Sequence, residues 1–280
     1  MKRRPRNGRR LENAVFWLGV MAMAVGAGCA LVFDIDPDSL PRESSEAGAV
    51  DAGAGGDARG PGPVPDGGTE DARGGAEIPA FVGASTAKVP SGQPIVVNRP
   101  AETVADDVLL VALFANGNDN KVTLPAMWTL LDESELPCAM SVVFAYHTVE
   151  AAPPASYTFA LRKTTFESMG TIVAYRGVNP QSPIDAKRLT RLIDAGSAYT
   201  SEGIASSRPN AMLVFLAIND DGTDGTWKEP ERMKPRVTQN VIGIFDALQE
   251  AAGPSGARTA FPSPAGCGGI ELTFLAPRLR

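Results

Sequence analysis

A single histidine in 280 residues, His147, sets the first limit on what this chain does. It excludes a zinc site built on several imidazoles, and any Ser-His-Asp arrangement would have to use that one ring. The ring lies in Val142-Val-Phe-Ala-Tyr-His-Thr-Val149, where alternation sets Val143, Ala145, His147 and Val149 on one face of a strand. No nucleophile motif accompanies it, so His147 reads as a strand residue at a sheet face and no catalytic residue is assigned. Aromatic residues are scarce at 6%, and cysteines number three. Positive charge is unevenly placed, because six of the 26 Lys and Arg fall within the first ten residues of a chain whose formal charge is −6. The remainder is more acidic still, which argues against nucleic acid as a partner. Helical pattern is nearly missing too. Only Gln239–Ala252 invites that reading, and its β-branched start at Val241, Ile242 and Ile244 favours a strand for the first half.

Glycine and proline are abundant, at 29 and 23 residues. With 44% hydrophobic residues, the length suits one large domain or two small ones, rich in turns and in β structure. Residues 1–33 have the layout of an export signal. Met1–Arg10 is basic and Ala14–Phe33 carries no charge. Within it Val25-Gly-Ala-Gly-Cys29 resembles the lipobox of bacterial lipoproteins, although Gly26 stands where that family usually has a branched residue. The resemblance implies cleavage behind Gly28, lipidation of Cys29 and a membrane partner reached through the lipid. An uncleaved anchor of about twenty apolar residues and simple release remain alternatives. All three place the body outside the cytoplasm, in the cell envelope, at the outer membrane or secreted. Residues 34–77 are rich in Gly, Ala, Asp and Pro and are expected to form a disordered acidic tether.

Residues 78–280 read as one all-β domain. Val104–Phe114 and Ala211–Ile218 are nearly continuous apolar runs. Met140–Val149, Ser156–Leu161, Met169–Tyr175 and Gly269–Leu275 alternate or nearly so, with turn residues between. The chain also repeats. Asp107-Val-Leu-Leu-Val aligns with Asn210-Ala-Met-Leu-Val, 103 positions on, and Val122, Pro125 and Trp128 match Trp227, Pro230 and Met233. Gly170 then faces Gly269. A repeat of this length predicts a jelly-roll-like β-sandwich of two pseudo-repeated halves around one shared core, against an alternative of two small sandwiches split near Asp185–Asp194.

Asp107–Val111, Pro125-Ala-Met-Trp-Thr-Leu130, Pro154-Ala-Ser-Tyr-Thr-Phe159, Tyr175-Arg-Gly-Val178 and Pro183-Ile-Asp185 together resemble a group of bacterial and phage-associated β-sandwich domains. These have jelly-roll or concanavalin-like shape and mostly unassigned function. The resemblance implies a fold and says little about chemistry.

Several constellations are candidates for a site. Asp220, Asp224 and Glu231 approximate the spacing of a calcium loop, with Gly222 at a ligand position that has no side-chain oxygen. An ordinary polar hairpin explains the same residues, and no other cofactor is implied. The repeat sets two oxygen-rich loops at equivalent places, so ligand-binding residues are sought at Asn116, Asn118, Asp119, Asn219 and Asp221. Asp132, Glu133 and Glu135 could supply a glycosidase pair only by converging across a cleft, and they read as a solvated loop. Trp128 and Trp227 stand in apolar patterns and read as core. Cys138 and Cys267 could form a disulfide in an oxidising compartment. Together these features predict an exported, lipid-anchored binding or structural module for a carbohydrate or protein ligand. A carbohydrate-active enzyme or a calcium-stabilised adhesin on the same fold are the alternatives.

Overall fold

The computed structural model describes residues 76–279 apart from 118–120, 163–165 and 221–224. The signal segment with Cys29, and the tether up to residue 75, lie outside the described residues. Glu77, expected at the end of the tether, already pairs with Arg278. The described chain is all-β, with antiparallel ladders throughout and no helix.

The first half comprises β1 (Ala80–Val89), β2 (Ile95–Asn98), β3 (Val108–Asn116), β4 (Val122–Thr123), β5 (Thr129–Leu136), β6 (Met140–Thr148), β7 (Ser156–Leu161) and β8 (Ser168–Arg176). The second comprises β9 (Ile184–Gly196), β10 (Tyr199–Ser201), β11 (Ala205–Ser206), β12 (Ala211–Asp220) and β13 (Thr226–Lys228). It continues through β14 (Lys234–Gln239), β15 (Ile242–Gln249), β16 (Gly253–Pro254), β17 (Arg258–Ser263) and β18 (Gly266–Leu275). The first half pairs in the orders β1-β8-β3-β6-β5 and β2-β7-β4. The second repeats both as β9-β18-β12-β15-β14 and β10-β17-β13, here joined into one eight-stranded sheet, with β11 and β16 added as a small ribbon. In each half the first strand pairs with the last, and β3 pairs with β6 as β12 does with β15, the winding expected of a jelly-roll-like sandwich.

The single core expected from the repeat resolves into three. One cluster lies inside the first half, around Leu109, Val111, Trp128, Tyr157 and Phe159. Another lies inside the second, around Leu213, Phe215, Trp227, Phe245 and Phe274. The third lies in the seam between the halves, where Leu110, Phe114 and Phe144 meet Val214, Leu216 and Ile244. Strands β3 and β12 are therefore buried on both faces, which is why they read as unbroken apolar runs. Asp185–Asp194 lies within β9, the first strand of the second half.

The repeat also needs a register correction. Strands alternate faces, so an offset wrong by one residue sets matched residues on opposite sides. At 103 positions Val108, which faces the seam, would match Ala211, which faces the interior of the second half. At 104 positions Val108 matches Met212, and Asp106 and Asn210 coincide, each with positive φ just before its strand. Beyond the loops the halves also share a bulge: β5 skips at Leu131 against β6, and β14 skips at Arg236 against β15. Gly268 permits the closest approach in the sheet, since a Cβ there would stand 1.9 Å from the Ile218 carbonyl oxygen.

Candidate functional site

The ends of β3 and β12 carry the two loops that the repeat made equivalent, and the fold brings them to one end of the seam. Asn116 and Asp220 line a cleft of about 260 Å³ there. Phe114, Met169 and Val241 form its apolar wall, and Lys88 and Glu167 pair at 2.9 Å beside it. Phe166 stands at the edge, 60% exposed. Each loop is tied to the neighbouring turn in the same way. The Gly117 amide donates to the Ala139 carbonyl at 2.7 Å, and the Asn219 amide donates to the Val241 carbonyl at 2.8 Å.

A disulfide closes this end. Cys138, in the turn between β5 and β6, is bonded to Cys267 of β18, with Cα atoms 6.6 Å apart. Cys267 sits opposite Asp220 in the β12–β18 ladder, so the bridge joins the first half to the second beside the cleft. The repeat alignment does not set these two cysteines opposite each other. Docking of the halves does.

Of the other loop residues, Asn118, Asp119, Asp221 and Asp224 lie outside the described residues. Asn219 is buried and spent on structure, its Nδ2 donating to the Pro264 carbonyl at 3.0 Å and its Oδ1 accepting from the Tyr199 hydroxyl at 2.8 Å. Glu231 does not share a site with Asp220. It stands in a separate groove beside Arg258 and Phe261, because β13 carries the chain away from the cleft. Among the described residues no three His, Cys, Asp or Glu side chains gather to hold a metal ion.

The acidic cluster reads differently in three dimensions. Asp132, Glu133 and Glu135 belong to strand β5 rather than to a loop. Asp132 faces the seam and pairs with Lys187. Glu133 and Glu135 project to the other side of the strand, into a groove of about 280 Å³ whose lining includes Lys121 and Arg191. The two carboxylates stand side by side on one edge strand and do not converge across a cleft, as a glycosidase pair would have to.

His147 is buried at the opposite end of the first half. Nδ1 lies 3.1 Å from the Met127 carbonyl and Nε2 lies 2.7 Å from the Glu150 carboxylate. Trp128 and Tyr157 pack on the imidazole at 5.5 Å between centroids. Both tryptophans are core residues, as their apolar settings imply. Burial first, and the nearby Glu150 carboxylate second, push the Tyr157 phenol up to about 12.

Three charged groups in the seam were not singled out in the sequence. Asp246 accepts from the Tyr175 hydroxyl at 3.0 Å and from Arg236 Nε at 2.7 Å. Burial, and then the Asp246 carboxylate, hold that Tyr175 proton well above its ordinary range. Arg236 also lies 4.5 Å over the Phe81 ring, so it reaches from the second half to the first. Glu271 is fully buried, and neither carboxylate oxygen has a hydrogen-bond partner. A lone acid in Gly268-Gly-Ile-Glu-Leu-Thr-Phe-Leu275 was the available signal. Comparison with protein-family models, with curated proteins and with solved structures finds no match, so the geometry alone carries the functional reading.

Proposed function

We propose that the chain is an exported cell-envelope protein, held to a membrane through a lipid on Cys29, whose folded body binds a small polar ligand in the cleft at the loop end of the seam. The observation that carries the reading is convergence: two loops placed equivalently by the repeat open onto one disulfide-braced cleft with an apolar wall and a polar rim. That combination is the usual make-up of a ligand seat. Three features support the address. They are the basic and apolar leader, the small residues before Cys29, and a disulfide of the kind that persists in oxidising compartments. The strand exchange in each half accords with the jelly-roll-like group that the chain resembles.

The test is the intact mass and detergent partitioning of the full chain expressed in a bacterium, beside a Cys29→Ala variant. A diacyl or triacyl mass increment with detergent-phase partitioning, both lost in the variant, is the expected result. An unmodified full-length chain would mean an uncleaved anchor and a shorter soluble chain would mean release, and either would overturn the lipid attachment.

A further inference from the structure

The duplication allows one end of each half to be compared residue by residue. In the first half, the end beyond Leu109 is filled by Trp128, His147 and Tyr157. The second half has other residues at the same places. Leu109 lies opposite His147 in its ladder as Leu213 lies opposite Ala247. The turn that brings the Trp128 amide to the Pro125 carbonyl at 3.0 Å is matched by Met233 and Pro230 at 3.1 Å. Tyr157 of β7 stands two positions before the core residue Phe159, as Arg258 of β17 stands two positions before Ala260. Thus Trp128, His147 and Tyr157 give way to Met233, Ala247 and Arg258. Phe274, at the position of Ala174, takes up part of the lost volume. A groove of about 540 Å³ opens at this end, lined by Arg258, Arg232, Ser255, Thr259, Phe261 and Glu231.

Its charge is unusual for so acidic a chain. Arg258 lies on the core-facing side of β17, and its Nε is buried without a hydrogen-bond partner. Leaving such a donor unsatisfied is costly, and more so for a charged group. Nη1 makes only a 3.2 Å bond to the neighbouring Ala257 carbonyl. Lys228, outside the lining, sits 5.6 Å over the Phe261 ring. The lone acid, Glu231, lies 3.5 Å from Arg232, and both are almost fully exposed.

We propose that this groove is a binding site for a small oxyanion-bearing ligand, a carboxylate or phosphate received by the Arg258 guanidinium, with Phe261 offering a face to the ligand's body. A guanidinium fork receives two oxyanion oxygens at once, which a lysine would not do. The site is separate from the seam cleft and does not depend on how that cleft is used.

The experiment is NMR titration of the folded full-length chain with sodium glucuronate, inorganic phosphate and glucose, followed at the amides of Ala257, Arg258 and Thr259. Saturable shifts at these amides with glucuronate or phosphate, absent with glucose and weakened by added salt, are expected. The anion that binds more tightly identifies carboxylate or phosphate as the natural group. Arg258→Gln should weaken binding at least tenfold, while Arg191→Gln, in a different groove, should leave it unchanged. Arg258→Lys, which keeps the charge but not the fork, should fall between them and serves if the Gln variant does not fold. Shifts equal for glucose and the anions, no saturable shift with either anion, or binding that persists unchanged in the Arg258 variants would overturn the site.

Discussion

Glu271 sits between two apolar sheets with both oxygens unpartnered, and its environment decides its protonation. Burial, reinforced by the Asp132 carboxylate and only partly opposed by Lys187, pushes its carboxyl up to about 8. In the unfolded chain the same group titrates near 4.5, so the folded state holds the proton more tightly. The stability it permits is fully present below about 4.5 and is lost as pH rises through 8. Between those limits the loss reaches roughly 3 kcal/mol by pH 7. Glu271→Gln removes the titration. Thermal melts of the native chain should fall in Tm from pH 5 to pH 8, and those of the variant should fall distinctly less. Equal slopes for the two proteins would show that Glu271 does not govern the seam's response to pH. Asp107, buried and bonded to both Nε and Nη2 of Arg176 at 2.9 Å, shows the contrasting case of a buried acid fully partnered.

At the level of elements, strand identity was legible wherever both faces are buried or one face is strictly alternating. β3, β6, β7, β8, β12 and β18 stand within a few residues of where their patterns set them. β5 and β9 were not legible. Both are outer strands of the paired sheets, and both interleave charges with their apolar residues, Asp132, Glu133 and Glu135 in one and Lys187, Arg188 and Arg191 in the other, so they read as loop. The register of the repeat was missed by one residue because apolar side chains on both faces of β3 and β12 erase the alternation that would have fixed it. The loop pairing behind the cleft was legible through the repeat. The Arg258 groove was not, because its lining comes from the turns after β13 and β16 and from β17, segments that only the fold brings together. One element-scale consequence concerns Gly243 of β15, where a Cβ would stand 2.6 Å from the Trp227 ring. That indole is buried and donates from Nε1 to the Asn240 carbonyl at 3.2 Å, so it has little freedom to retreat. Gly243→Ala should lower stability by about 1–3 kcal/mol, read as a lower urea midpoint at unchanged slope. Gly83→Ala, whose Cβ would find its nearest neighbour at 3.5 Å, should stay within about 0.5 kcal/mol. Equal midpoints for the two variants would contradict this packing.

On the scale of the whole molecule, the cleft exists only while the two halves stay docked. Three devices hold them. The seam core buries apolar side chains from both halves. Lys187 reaches the Asp132 carboxylate and the Leu131 carbonyl at one side, and Arg236 lies over Phe81 at another. The Cys138–Cys267 bridge spans 129 residues, a separation at which loop-closure entropy contributes on the order of 4–5 kcal/mol. Each half also has an interior core of its own, so the halves could in principle melt separately. The most direct measurement is therefore scanning calorimetry of the full-length oxidised chain. Docked halves predict a single transition whose calorimetric and van't Hoff enthalpies agree. Two resolved transitions would mean that the halves fold independently, that the seam is a weak contact, and that the cleft between them is no fixed binding site.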